Sequence, residues 1–335
     1  AYIGYTAGQF AAAGAVLQML FDWPLVTAYA VAAGIVAGDA DRQLEVISQV
    51  SPAQQADIAA FLERTPVEVS LADSPLIFDL TVTLFRGSSR AKARIANFHT
   101  NVVLVEKDGQ VLLRRDAGEE EEGGLTPRDC LTVAEILDFA ETVALDDVRP
   151  LLDRQMSCNM AIAQEGLRGD YGANVGSVLL SSHPEVLSAG GPSAVRLRAR
   201  ALAAAGSDAR MNGCELPVII NSGSGNQGIT ASVPVMVYAQ ALGASEEKLY
   251  RALVLSNLLA IHQKSTIGRL SAYCGAINAG AAAGAAIAYL EGGGLDGVSH
   301  TLVNALAISS GVICDGAKAS CAGKIALAVD SGILG

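Results

Sequence analysis

Residues 270–290 form a run of 21 positions without a charge, and they are mostly Ala, Gly, Ser and Asn. The run matches the length of a membrane-spanning helix, but it has few large aliphatics. Arg269 and Glu291 bound it, and Cys274 and Asn278 would be costly against acyl chains. Gly280 and Gly284 make a G-x-x-x-G pair, a mark of close helix packing in soluble cores as well as in lipid. The run therefore predicts a buried core helix that its neighbours approach closely. The composition agrees: the chain is 51% hydrophobic but only 5% aromatic, with 35 glycines. Such a chain buries its surface through small residues at helix–helix contacts.

The 335 residues suffice for two domains. A net charge of −11 argues against a nucleic-acid partner, which requires a basic footprint. No basic patch is present that would hold the chain on an anionic membrane. Six cysteines, none paired at short spacing, indicate reduced thiols or ligands in a cytoplasmic protein. No secretory signal is visible, and the sequence opens on Ala1 rather than Met.

Along the chain, residues 1–62 read as a helical segment expected to pack on the catalytic domain. Residues 25–38 are apolar and Ala-rich, and Ser51 with Pro52 opens a second helix that ends near Arg64. Period-two alternation follows at 67–71, 76–85, 93–98 and 101–105, and Asp108-Gly109 gives a hairpin signal before Val111. This predicts a small antiparallel sheet lobe over 63–118. Residues 119–127 hold four consecutive glutamates bounded by glycines, either an acidic docking element or a solvated linker. From 128 to 335 the pattern is helical, with strand character only near 216–220. The fold class expected is α+β, a mostly helical catalytic domain with a small antiparallel lobe. Ala/Gly-rich helices can also pack between chains, and a homodimer is the expected assembly.

Three cysteines carry chemistry. Cys274, Cys314 and Cys321 are spaced by 40 and then 7 residues, and each lies among small neighbours. Glycine and alanine there let a bulky ligand approach. Three thiolates are one short of the usual four for a structural zinc or an iron–sulfur cluster, which would leave an open metal position for substrate. The alternative is three buried structural thiols.

Gly223, Gly225 and Gly228 fit G-x-G-x-x-G after the strand-like 216–220. A dinucleotide site needs a second strand ending in an acidic residue, whereas here Ser245 caps a helix that starts with Glu246 and Glu247. A phosphate-binding P-loop also fails, because no Gly-Lys-Ser/Thr follows. What remains is a polar turn into a helix N-terminus. It is either a carboxylate site formed by Asn221, Ser222, Ser224, Asn226, Gln227 and backbone N–H groups or an ordinary capped start. His262 and Lys264 end an apolar helix ten residues before Cys274. They suit proton transfer, although a histidine there can also serve as a dipole partner. His99 is a further base candidate; His183 and His300 read as structural.

These stretches together resemble one family. Asn212-Gly-Cys-Glu-Leu-Pro, the Gly-Ser-Gly-Asn-Gln-Gly turn, Ala-Ile-His-Gln-Lys at 260–264, Ser-Ala-Tyr-Cys-Gly-Ala at 271–276 and the segment from Cys314 to Cys321 are similar to L-cysteine desulfidases, relatives of the catalytic chain of iron–sulfur L-serine dehydratases. His-Thr-Asn at 99–101 and Glu165-Gly-Leu-Arg-Gly-Asp-Tyr-Gly fit as well. The resemblance implies a [4Fe–4S] cluster held by Cys274, Cys314 and Cys321. It implies catalysis through His99, His262 and Lys264, and substrate binding by Asn212, Ser222, Ser224, Asn226 and Gln227. The reaction implied is α,β-elimination of the amino-acid substrate L-cysteine to pyruvate, ammonia and sulfide, without pyridoxal phosphate. L-Serine dehydration and a cluster-free amino-acid-binding relative are the alternatives. The family also carries a Gly-Cys-Thr-Glu-Pro motif that residues 1–335 do not contain.

Overall fold

The computed structural model describes residues 23–41, 46–47, 50–76, 78–98, 101–117, 128–268, 271–314 and 316–335. His99 and the glutamate-rich segment lie outside these residues. The chain divides into two compact units, Ala1–Thr126 and Pro127–Gly335, and the fold is α+β.

The first unit contains α1 (Trp23–Val36) and α2 (Pro52–Arg64), which pack on each other. Ser51 caps α2 as the sequence predicts: its Oγ accepts from Gln54 N, and the Gln54 side chain accepts from Ser51 N. The sheet is an antiparallel meander of β1 (Asp79–Arg86), β2 (Ser89–Ala96), β3 (Val102–Lys107) and β4 (Gln110–Arg114). Asp108 and Gly109 turn the last hairpin with positive φ of 52° and 84°, the geometry an Asp-Gly turn favours. Asp108 Oδ1 also accepts from Ser89 Oγ and Arg90 N, both at 2.7 Å, which ties one hairpin to the other. Residues 67–71 alternate in sequence but form no strand. They pair with no neighbour, and alternation without a partner does not make a sheet.

The second unit is helical: α3 (Val133–Thr142), α4 (Leu145–Arg168), α5 (Val175–Ser181), α6 (Pro184–Ala189), α7 (Gly191–Met211), α8 (Gly225–Leu242), α9 (Glu246–Ile267), α10 (Gly275–Leu290), α11 (Leu295–Ile308) and α12 (Cys321–Leu334). The uncharged run becomes α10, which packs against α8, α9, α11 and α12. Ala279, Ala282, Ala285 and Ala286 on it are wholly buried. Among the described residues, no helix is long and apolar enough to cross a membrane. The expected strand at 216–220 belongs to no sheet among the described residues. Its backbone is paired instead by a side chain, because Asn159 of α4 accepts from Ile219 N (2.9 Å) and donates to Ile219 O (3.1 Å).

A buried carboxylate joins α7 to α5. Asn174 precedes α5 in the left-handed region and makes no side-chain cap, so Asp208 of α7 supplies one, its Oδ2 accepting from Gly176 N at 3.0 Å. Asp208 is completely buried and its Oδ1 has no partner. Desolvation raises its pKa above the ordinary 3.8, against the opposing effect of the Gly176 and Val175 backbone N–H groups. An acid with a raised folded pKa binds more protons folded than unfolded, so its destabilising contribution is absent below the unfolded pKa. It grows as pH climbs from about 4 towards the folded value and is constant above that. Asp208→Asn, which keeps the accepting oxygen, is therefore expected to gain on the parent protein as pH rises from about 4 in urea unfolding. A difference independent of pH would contradict this origin.

Candidate functional site

Residues Asn221 and Ser224 exchange backbone hydrogen bonds (3.1 and 3.0 Å) across Ser222 and Gly223, which both take positive φ (48° and 80°). This tight turn delivers the chain into α8. Ser224 is the N-cap, and its hydroxyl accepts from Gln227 N at 3.5 Å. Gly228 is required here because a Cβ would stand 2.0 Å from Ile219 O. Side-chain amides hold the turn from behind. Asn221 Nδ2 donates to Asn257 Oδ1 (2.9 Å), and Asn257 and Gln155 exchange a reciprocal pair (2.9 and 2.8 Å). The turn is thus fixed to α4 and α9 by polar groups that satisfy one another.

One cation lies at this helix start and a second is buried on α9. Arg210, at the end of α7, donates to Asn226 Oδ1 at 3.2 Å, and its Nε occupies space 2.3 Å from where a Cβ on Gly225 would stand. Lys264 of α9 is buried at 8% exposure. Desolvation lowers its pKa, while the thiol charges of Cys314 and Cys274 act in the opposite sense.

The thiols come from two segments. Tyr273 and Ile313 form an antiparallel bridge, in which Cys314 N donates to Ala272 O (2.6 Å) and Cys274 N to Val312 O (3.4 Å). Cys274 is the N-cap of α10 and Cys321 is the first residue of α12. Burial pushes the Cys274 thiol up; the Ala276 N–H opposes this, and the charges of Cys314 and Cys321 add to it. Cys274 is thus within electrostatic reach of both other cysteines. Gln227 reaches its neighbour, since a Cβ on Gly275 would stand 2.5 Å from Gln227 Cδ. Among the described residues, no group of three His, Cys, Asp or Glu could hold a single metal ion. A single ion draws its donors to one point, whereas a cluster spreads its thiolates over separate corners.

The serine dehydratase alpha chain family profile matches residues 41–335. The chain belongs to the serine dehydratase alpha chain family. A UPF0597 protein of Desulfitobacterium hafniense is 55% identical over 306 residues, covering 91% of this chain and 69% of the relative. UPF0597 proteins of Lachnoclostridium phytofermentans and Treponema denticola are 46% and 45% identical, each covering 90% of this chain and 70% and 69% of their own length. No solved structure matches.

Of the residues that the family resemblance singled out, Ser224 caps Gln227, Gln227 lies against Gly275 next to Cys274, and Lys264, Cys314 and Cys321 each interact electrostatically with Cys274. Ser222 and Asn226 belong to the same turn and first helical turn. His262 is half-buried on α9, one position before the buried Gln263. Asn212 is exposed, donates to Asp208 O at 2.7 Å and packs on Gly172. Beside it, Tyr171 donates to Glu165 Oε1 at 3.0 Å; burial, then Glu165 and Cys214, push the phenol up to about 12. Sequence reasoning missed Arg210, Gln263 and Asn278. Asn278 was within reach of it, because position i+4 from Cys274 shares that cysteine's helix face.

Proposed function

We propose that this chain is the catalytic chain of an iron–sulfur lyase that eliminates sulfide from L-cysteine to give pyruvate and ammonia. The observation that carries the reading is the 273/313 bridge, which joins the two cysteine segments beside Lys264 and Gln227. The donor set suits a [4Fe–4S] cluster: three thiols, and open space where a Cβ on Gly316 would stand. Cys274, Cys314 and Cys321 would hold it, and the iron left without a cysteine would supply Lewis-acid polarisation to the substrate.

The rest falls to the chain's own residues. The positive N-terminus of α8 and the Arg210 charge raise the local concentration of a carboxylate-bearing substrate at this turn. The α-proton is weakly acidic, so elimination requires a base held at Cα. Lys264 interacts electrostatically with Cys314 and Cys274, and its buried amine is assigned to take the proton. Burial of Lys264 and Cys274 keeps water from the reacting carbon and strengthens the local field.

The family description favours a second substrate, L-serine, with hydroxide in place of sulfide as leaving group. Anaerobic assays of sulfide from L-cysteine and of pyruvate from L-serine separate the two. Sulfide release with the higher kcat/KM supports the desulfidase reading, and faster turnover of serine would replace it. Anaerobically purified protein without iron or acid-labile sulfide, inactive on both, would sink the lyase reading.

A further inference from the structure

Three buried amide atoms lack hydrogen-bond partners at the junction of α8, α9 and α10. They are Gln227 Oε1, Gln263 Oε1 and Asn278 Nδ2, on side chains only 7%, 9% and 8% exposed. Gln227 lies against Gly275. Gln263 Nε2 is spent on Leu259 O (3.1 Å) and Asn278 O (3.2 Å), which fixes the orientation of that amide. Gly275 and Asn278 are three residues apart and so share one face of α10. The orphans therefore gather along the first turn of α10, next to its N-cap Cys274. A buried amide without a partner costs about 1–3 kcal/mol, and three at one junction in a core this apolar point to a ligand that completes them.

Their polarity defines that ligand. Two are acceptors and one is a donor. An ammonium needs acceptors, and a carboxylate needs donors and positive charge. We propose that Gln227 Oε1 and Gln263 Oε1 receive the ammonium of a zwitterionic α-amino acid and that Asn278 Nδ2 donates to its carboxylate. The site therefore selects substrates that carry both groups on one carbon. This rests on the lyase reading for the identity of the ligand and not for the existence of the site. None of the three is a thiol ligand, so binding can be read without turnover.

The test is calorimetric titration of the anaerobically purified chain, iron-loaded and iron-free, with L-serine, with ethanolamine (no carboxylate) and with 3-hydroxypropanoate (no ammonium). L-Serine is expected to bind at least about tenfold more tightly than either one-ended analogue, the scale of one lost charge-assisted hydrogen bond. Gln227→Met and Gln263→Met should each weaken L-serine about tenfold and leave 3-hydroxypropanoate unchanged. Asn278→Leu should weaken both of these and spare ethanolamine. Helical content by circular dichroism guards against misfolding of the Met variants. Equal affinity for all three compounds would overturn the site. So would variants that lower the melting temperature but keep L-serine affinity, since the amides would then hold internal water only. The two readings fail separately: two-ended binding without elimination removes the lyase and keeps the site, whereas elimination with unchanged KM in the Met variants does the reverse.

Discussion

Cys314→Ser is expected to reduce iron and acid-labile sulfide to background and to lower elimination activity by about a thousandfold or more, the scale of several kcal/mol of Lewis-acid stabilisation. A serine hydroxyl is a poor ligand for iron that thiolates hold, and two remaining cysteines cannot secure the cluster. The fold should survive. Cys314 is exposed, and its structural contribution is a backbone bond, Cys314 N to Ala272 O, that does not depend on the side chain. Helical content by circular dichroism should therefore match the parent protein. Cys158→Ser, on α4 and outside the bridged segments, serves as the control and should keep iron and activity. Full iron content in the Cys314 variant would end the assignment of the ligands.

How far this could be read in advance depended on the range of the interactions. α2 was legible to the residue, because Ser51, Pro52 and Gln54 act on neighbours three positions away. The hairpin at Asp108-Gly109 was legible because positive φ selects those residue types. Residues 67–71 misled, since alternation says that one face is apolar but not that a partner strand exists. At the site, the cysteine motifs were visible as islands of small residues. Nothing local says that Tyr273 pairs with Ile313 across 40 positions. Arg210 escaped notice for a similar reason: it belongs to α7 in sequence and reaches the start of α8 only through helix packing. Asn159, which replaces a strand partner for Ile219, is an interior helical residue that no pattern distinguishes. Local capping and turn chemistry were readable; side chains that act on another element were not.

Gly284→Val is expected to cost about 3 kcal/mol or more of stability. A Cβ at Gly284 would stand 2.1 Å from Gly332 O, one at Gly280 2.4 Å from Ala328 O, and one at Gly332 2.1 Å from Gly280 O. The obstacles are backbone carbonyls on both sides, so no side chain can swing away and the helices α10 and α12 must separate. Separation opens the contact along both helices, where Ala328 and Val329 are buried to within 1%, and packing lost there is not recovered elsewhere. Gly297→Ala on α11, which meets nothing within 4 Å, gives the opposite sign. It should be neutral or stabilising by up to about 1 kcal/mol through helix propensity. Urea unfolding of the iron-free protein measures both without cluster loss confounding the transition. The same displacement has a functional reading. α12 begins at Cys321, so pushing it from α10 moves that thiol relative to Cys274, and iron retention should fall in Gly284→Val while the cysteines themselves are untouched. A Gly284→Val protein as stable as its parent would mean that α10 and α12 do not meet backbone to backbone.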